Sequence, residues 1–178
     1  MANVSLRPTG VYSVVQLEKV EADFTGQGVM QEIELDATDF ATAVLQNGQC
    51  VIVAGKKAKL PTAISSKVLL NATACEIYED GKGRETFAVK RGSGSQARLF
   101  AINAYDEIAT NACFFSDAEY ATVAALKTAI LAGTVKAVPT VSGDWQLTAT
   151  TTNAVVIGEV TDYVTLSNDR DGVRIRFQ

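Results

Sequence analysis

The residue type that matters most for chemistry in this sequence is one it lacks: none of its 178 positions is histidine. That excludes the Ser-His-Asp and Cys-His nucleophile systems, the usual zinc sites and the side chain that titrates near neutrality without perturbation. Carboxylate pairs remain as candidates for acid–base work, at Asp106-Glu107 and Glu79-Asp80. Such catalysis needs two carboxylates in differently tuned environments across a cleft. Adjacent acids at a strand-to-loop step face solvent instead, so neither pair is expected to catalyse. Lys56 and Lys57, following Gly55, are nucleophile candidates in principle. No neighbour in sequence supplies the desolvation or charge that would lower an amine pKa.

Three further segments have ligand-binding flavour. Gly92-Ser93-Gly94-Ser95 is similar to a phosphate-cradling loop, but such a loop must open a helix, and the residues after it read as a strand. Asp169-Arg170-Asp171-Gly172 places alternate acids as a calcium loop does, yet lacks the bidentate Glu that should follow its Gly. A hairpin turn is the better reading. Trp145, in the setting Gly-Asp-Trp, offers either a stacking surface for a sugar ring or a core residue. The sequence therefore predicts no catalytic, cofactor-binding or metal-ligating residue, and no cofactor.

Composition bounds the rest. Hydrophobic residues make up 47% and charged residues 20%, with 16 Lys+Arg against 20 Asp+Glu for a net charge of −4. This is ordinary for a globular chain, which at this length should form one domain and bury roughly 70% of its unfolded surface. The odd count of three cysteines, Cys50, Cys75 and Cys113, at wide spacing suits buried thiols in a reducing compartment better than a disulfide framework. Neither a secretory leader nor a membrane span is expected, because no long apolar run occurs. The sequence pI of 4.9 and scattered basic residues argue against nucleic acid as a partner.

The elements that would position these residues are mostly strands. Met1–Gly10, small and polar with Pro8 and Gly10, reads as a flexible or docking arm ahead of a single β-rich domain over 11–178. Val11–Val20 and Val29–Leu35 read as strands, the second with clean alternation. Asp36–Leu45 is ambiguous between a short helix capped by Asp36 or Asp39 and a turn or hairpin, with the turn preferred. Asn47-Gly48 is a turn signal ahead of an apolar strand from Cys50. Strands are then expected at Lys67–Asn71, Cys75–Glu79, Thr86–Lys90, Arg98–Ile102 and Ile108–Phe115. Such dense spacing predicts a mainly β (α+β) fold, a sandwich or barrel-like domain.

One amphipathic helix is expected near 117–131. Ser116 and Glu119 form a capping-box pattern, Tyr120, Val123, Ala124, Lys127, Ile130 and Leu131 recur at helical spacing, and Gly133 stops it. That makes a helix of about 15 residues, roughly 22 Å long. Strands resume at Val135–Val138 and Trp145–Leu147, and Thr148–Ala154 is either strand or loop. Val155–Thr165 and Val173–Phe177 form a closing hairpin, with Arg174 and Arg176 on the face opposite Val173, Ile175 and Phe177.

The order of several short segments carries a resemblance. They are Val14–Val20, the Asn47-Gly48 turn with the strand ending at Gly55, Glu76-Ile77-Tyr78 leading to Phe87-Ala88-Val89, and Ala97-Arg98-Leu99-Phe100 before Asp106. Thr110-Asn111-Ala112 before the helix and Ala132–Pro139 after it complete the set. In outline over 11–177, this chain resembles the small auxiliary, or decoration, head proteins of tailed bacteriophages. The resemblance implies a virion structural protein that binds and stabilises the phage head, with the major capsid protein lattice as its partner and the capsid surface as its location after assembly in the host cytoplasm. It marks no residue as a functional site and leaves homo-oligomerisation open; with the composition above, no nucleic-acid or membrane partner is expected. Many copies on a symmetric shell would gain from avidity. The expected contacts are the Met1–Gly10 arm first and the Arg174/Arg176 face second. The alternatives are a tail-tube or head-completion subunit, or a carbohydrate-binding β-module using Trp145 and the tyrosines.

Overall fold

The computed structural model describes residues 2–9, 12–21, 28–63, 66–73, 88–93, 96–151, 153–166 and 169–178. The expected strand Cys75–Glu79, the Glu79-Asp80 pair, the Asp80–Gly83 turn, and residues Cys75, Gly94 and Ser95 lie outside the described residues.

The strands in chain order are β1 (Asn3–Ser5), β2 (Val15–Lys19), β3 (Val29–Leu35), β4 (Val44–Gln46), β5 (Cys50–Ala54), β6 (Lys57–Lys59), β7 (Leu69–Asn71) and β8 (Ala88–Lys90). They continue with β9 (Ala97–Ala101), β10 (Glu107–Thr110), β11 (Cys113–Ser116), β12 (Lys136–Pro139), β13 (Trp145–Thr148), β14 (Gly158–Leu166) and β15 (Arg170–Phe177). Helix α1 (Val123–Leu131) sits between β11 and β12. The chain is mainly β, as its spacing of strand and turn signals predicts.

Two sheets dominate. An eight-stranded sheet runs β1-β11-β13-β12-β14-β15-β10-β2, and β3-β6-β5-β7-β9 close into a barrel beside it; β4 and β8 pair as a small ribbon. The eight-stranded sheet must roll onto itself. β10 and β11 are five strand steps apart in its order, about 24 Å at the usual spacing, yet only Asn111 and Ala112 join them. Three Cα steps reach no more than about 11 Å, so curvature has to bring the two strands together. Ile108, Phe115, Trp145, Leu147, Ile175 and Phe177 fill the roll, in a core cluster that also takes Cys50, Leu70 and Phe100 from the barrel. The barrel holds its own cluster around Leu35, Phe40, Leu45, Val51, Val89 and Leu99.

Several expectations need correction. Residues 3–7 are not a free arm. Asn3–Ser5 pair antiparallel with β11, the Leu6 amide donates to the Cys113 carbonyl at 3.0 Å, and Leu6 is 8% exposed. Three strand residues and one anchored leucine outweigh the local Pro and Gly signals. Ile108–Phe115 is two strands, β10 and β11, because Thr110 and Asn111 turn their side chains back onto Val14: Thr110 Oγ1 donates to the Val14 carbonyl (2.7 Å) and the Val14 amide to Asn111 Oδ1 (2.8 Å). Asp36–Leu45 is a turn leading into β4, with the Thr38 amide donating to Asp36 Oδ1 and the Leu60 amide to Asp39 Oδ2. The strand at 57–59 was not anticipated; its parallel pairing with β3 helps to close the barrel.

The helix begins later than the capping-box pattern predicts. Glu119 does not return to Ser116; its carboxylate accepts from Thr148 Oγ1 and the Ala149 amide at the end of β13. The Glu119 and Tyr120 amides close a turn on the Ser116 carbonyl, and the Tyr120 ring packs edge-on to Phe115 at 6.3 Å. Thr122 then caps the helix, its hydroxyl accepting from the Ala125 amide at 3.1 Å. With this register Leu126 and Ile130 are buried, while Leu131 stands 87% exposed. Lys127 sits over the Tyr163 ring at 4.2 Å and ties α1 to β14. Thr122→Ala should cost about 1 kcal/mol, seen as a lower urea midpoint with an unchanged slope.

Candidate functional site

Two places gather polar side chains. The first is a buried seam between the sheets, built by the Asn47-Gly48 turn. Ser13, Asn71, Thr110 and Asn111 are fully buried there and Asn47 is 2% exposed. Backbone ends buried between two sheets must find partners, and these side chains supply them. Asn47 Nδ2 donates to the Thr73 carbonyl (3.0 Å) while its Oδ1 accepts from the Thr73 amide (2.9 Å). Ser13 Oγ donates to the Asn47 carbonyl at 2.6 Å, and Asn71 Nδ2 to the Gln46 carbonyl at 2.9 Å. At the rim Gln49 Nε2 donates to Asp144, which also pairs with Arg7 at 3.4 Å. Each of these bonds joins chain segments to one another, so the seam holds the sheets in register.

Most of the chemistry nominated by sequence is spent on similar internal bonds. Asp106 is 3% exposed, and its two oxygens accept the Glu21 and Asn103 amides, each at 2.8 Å. Its neighbour Glu107 points the other way and pairs with Arg176 at 2.6 Å, so the two acids do not face each other across a cleft. Lys56, at φ +65°, is the tip of the β5–β6 hairpin, and Lys57 is exposed on β6. The Ser93 hydroxyl closes a turn on the Lys90 carbonyl at 2.6 Å, and β9 follows shortly after. Asp169 lies at the tip of the β14–β15 hairpin at φ +55°, and Asp171 is paired within it. Among the described residues no group of three or more acidic or sulfur ligands could hold a metal ion. Burial pushes the Cys50 and Cys113 thiols well up, with the charge of Asp144 adding to the effect, and makes both poor nucleophiles.

Trp145 is a core residue and cannot stack on a sugar. It is fully buried, its ring is 5.3 Å from that of Phe177, and its Nε1 donates to the Gly48 carbonyl at 2.9 Å. The Arg174/Arg176 face is already paired: Arg174 bridges Glu18 and Asp162, and Arg176 holds Glu107.

Tyr120 has a pH consequence. Burial, with the charge of Glu119 beside it, pushes its phenol up to about 12. The folded state therefore holds that proton more tightly than the unfolded chain, whose tyrosines titrate near 10. This contribution to stability is intact below pH about 10 and is lost as pH rises towards about 12. Tyr120→Phe should remove that part of the alkaline loss, read by thermal melts across the range. Because the Tyr120 hydroxyl is buried without a partner among the described residues, the same variant should be as stable as the parent at pH 7.

The second polar place is open to solvent. A groove of about 500 Å³ lies along the outer face of the rolled sheet, beside the loop joining β9 and β10. Strand register builds a row of alternating charge across β2, β10, β15, β14 and β12, made of Lys19, Glu107, Arg176, Glu159 and Lys136, and the first four of these line the groove. Opposite charges directly across strands attract, and the Lys136–Glu159 pair closes at 3.7 Å. Tyr105 stands at the lip, 73% exposed and at φ +72°. No local pattern of residues announces this groove. Its residues are scattered from 19 to 178 and converge only through pairing register, and a left-handed tyrosine has no local signature. No family model, curated protein or solved structure matches the chain.

Proposed function

We propose that this chain is a virion structural protein of the auxiliary, capsid-decorating kind, binding a phage head through its folded surface. The sequence resemblance suggests the class. The observation that best supports it is the way the chemistry-bearing side chains are used: Asp106, Asn47 and Trp145 each bond to backbone of distant chain segments, Arg174 is paired across the rolled sheet with Glu18 and Asp162, and both described cysteines are buried. A rigid framework of this kind suits a protein whose work is to be bound in many copies. Its open edges suit that work too, since the rolled sheet ends at β1 and β2. Edge strands offer unpaired backbone groups to a neighbour, and β2 ends in the charged pair Glu18-Lys19 that discourages unspecific pairing.

A contact made through residues 3–7 would be made by folded chain and not by a loose arm, since these residues belong to the fold. Deleting Met1–Gly10 would strip an edge strand and Leu6 from the domain, so a loss of binding in that deletion would report on folding. The direct test is co-sedimentation of the whole chain with heads that lack it. Stoichiometric pelleting is expected; a chain left in the supernatant with intact heads overturns the proposal. Light scattering that finds closed rings would instead favour a tail-tube or head-completion subunit.

A further inference from the structure

We propose that the Tyr105 groove is a binding site for a neutral saccharide, a role independent of capsid binding. The first support is the cost at which Tyr105 is held. An aromatic residue at positive φ is strained, since only Gly and, less readily, Asn or Asp adopt that backbone easily. The loop does not need the ring. Its geometry is set by backbone bonds, from the Tyr105 amide to the Phe177 carbonyl (2.9 Å), the Asp106 amide to the Asn103 carbonyl (3.2 Å) and the Phe177 amide to the Asp106 carbonyl (2.9 Å). The buried Asp106 carboxylate fixes the same loop from beneath. A glycine would satisfy every one of these bonds without strain. A strained, exposed aromatic whose ring makes none of the bonds that set its loop points to a contact outside the fold.

The groove beside it narrows the choice of ligand. At about 500 Å³ it matches a small molecule of one to three rings. Its eight lining residues are too few to be the whole of a stable protein interface, which uses roughly 20–30 residues on each side. Its charged lining is balanced, Lys19 and Arg176 against Glu107 and Glu159, so it selects neither an anion nor a cation. What it offers instead is planar donors and acceptors side by side, held in place by the cross-strand row. Arg176 uses its Nε on Glu107 at 2.6 Å and is half exposed. Vicinal hydroxyls, each both donor and acceptor, fit between such groups. The apolar C–H face of a sugar ring then covers the negative face of the Tyr105 ring.

The test is an amide NMR titration of the intact chain with cellobiose, maltose, lactose and diacetylchitobiose, with glycerol and inorganic phosphate as comparators. At least one disaccharide is expected to give saturable shifts at Tyr105, Glu107 and Arg176 with millimolar affinity. Tyr105→Gly should weaken that binding by about tenfold or more while unfolding no earlier than the parent, because it removes the positive-φ strain. No disaccharide moving these resonances more than glycerol overturns the proposal. So does undiminished binding in Tyr105→Gly, and so does saturable phosphate binding in the groove, which would make it an anion site.

Discussion

Gly48→Ala should be among the most damaging single-methyl additions in the chain. Gly48 sits at φ +85° in the Asn47-Gly48 turn, and a Cβ there would lie 2.3 Å from Thr110 Oγ1 and 3.1 Å from the Ala112 Cβ. Thr110 cannot simply rotate away. Its hydroxyl donates to the Val14 carbonyl at 2.7 Å and accepts from the Ala112 amide at 3.0 Å, so moving it opens the joint between β10 and β11. Left-handed strain of about 1–2 kcal/mol and overpacking of about 1–3 kcal/mol together give a loss of about 2–5 kcal/mol. For a chain of this length that is a fall in Tm on the order of 10 °C. Gly55→Ala is the matched control: φ is +58° there, but nothing lies within 4 Å of the added methyl. It should show the backbone strain alone, about 1–2 kcal/mol. Equal falls in Tm for the two variants would show that the Thr110 contact is not what makes Gly48 necessary.

The same turn shows how far the sequence could be read. Asn47-Gly48 is legible as a turn because the dipeptide carries its own backbone preference. Val29–Leu35 is legible because its alternation matches a half-buried strand, and the β14–β15 hairpin because two alternating runs flank a polar loop. These signals are local. The sequence does not say that Asn47 and Gly48 would plug the space between two sheets, since their partners Thr73, Thr110 and Trp145 are distant in the chain. The helix start failed for the same reason, when Thr148 and Ala149 took the Glu119 carboxylate that a capping box would have used. Asp106 was visible as an acid but not as a buried acceptor of two backbone amides, because a sequence shows charge and not the donors that fold around it. The groove was the least legible feature. A row of five charges in register is a property of strand order, and the order places β10 and β11, neighbours in sequence, five steps apart.

Trp145 carries the second large effect, and it tests whether that turn and the rolled sheet act as one unit. Trp145→Ala removes the largest fully buried side chain from the roll and should cost about 3–5 kcal/mol from the cavity alone. Trp145→Phe is the more discriminating change. It keeps an aromatic ring against Phe177, 5.3 Å away in the parent, but loses the Nε1 donor that holds the Gly48 carbonyl at 2.9 Å. An unpaired buried carbonyl costs about 1–3 kcal/mol, and the smaller ring adds to this, so a loss of about 2–4 kcal/mol is expected by urea denaturation followed by circular dichroism. Both this variant and Gly48→Ala loosen the same joint. Once the turn has shifted to accommodate an alanine, its carbonyl no longer faces Trp145, and removing the indole donor takes away a bond already weakened. The double variant should therefore lose less than the sum of the two singles, with a coupling of about 0.5–3 kcal/mol, as contacting residues show. Strict additivity would mean that the turn and the indole stabilise the two sheets separately. A coupled result would make the Asn47-Gly48 turn the pin through which barrel and rolled sheet fold together.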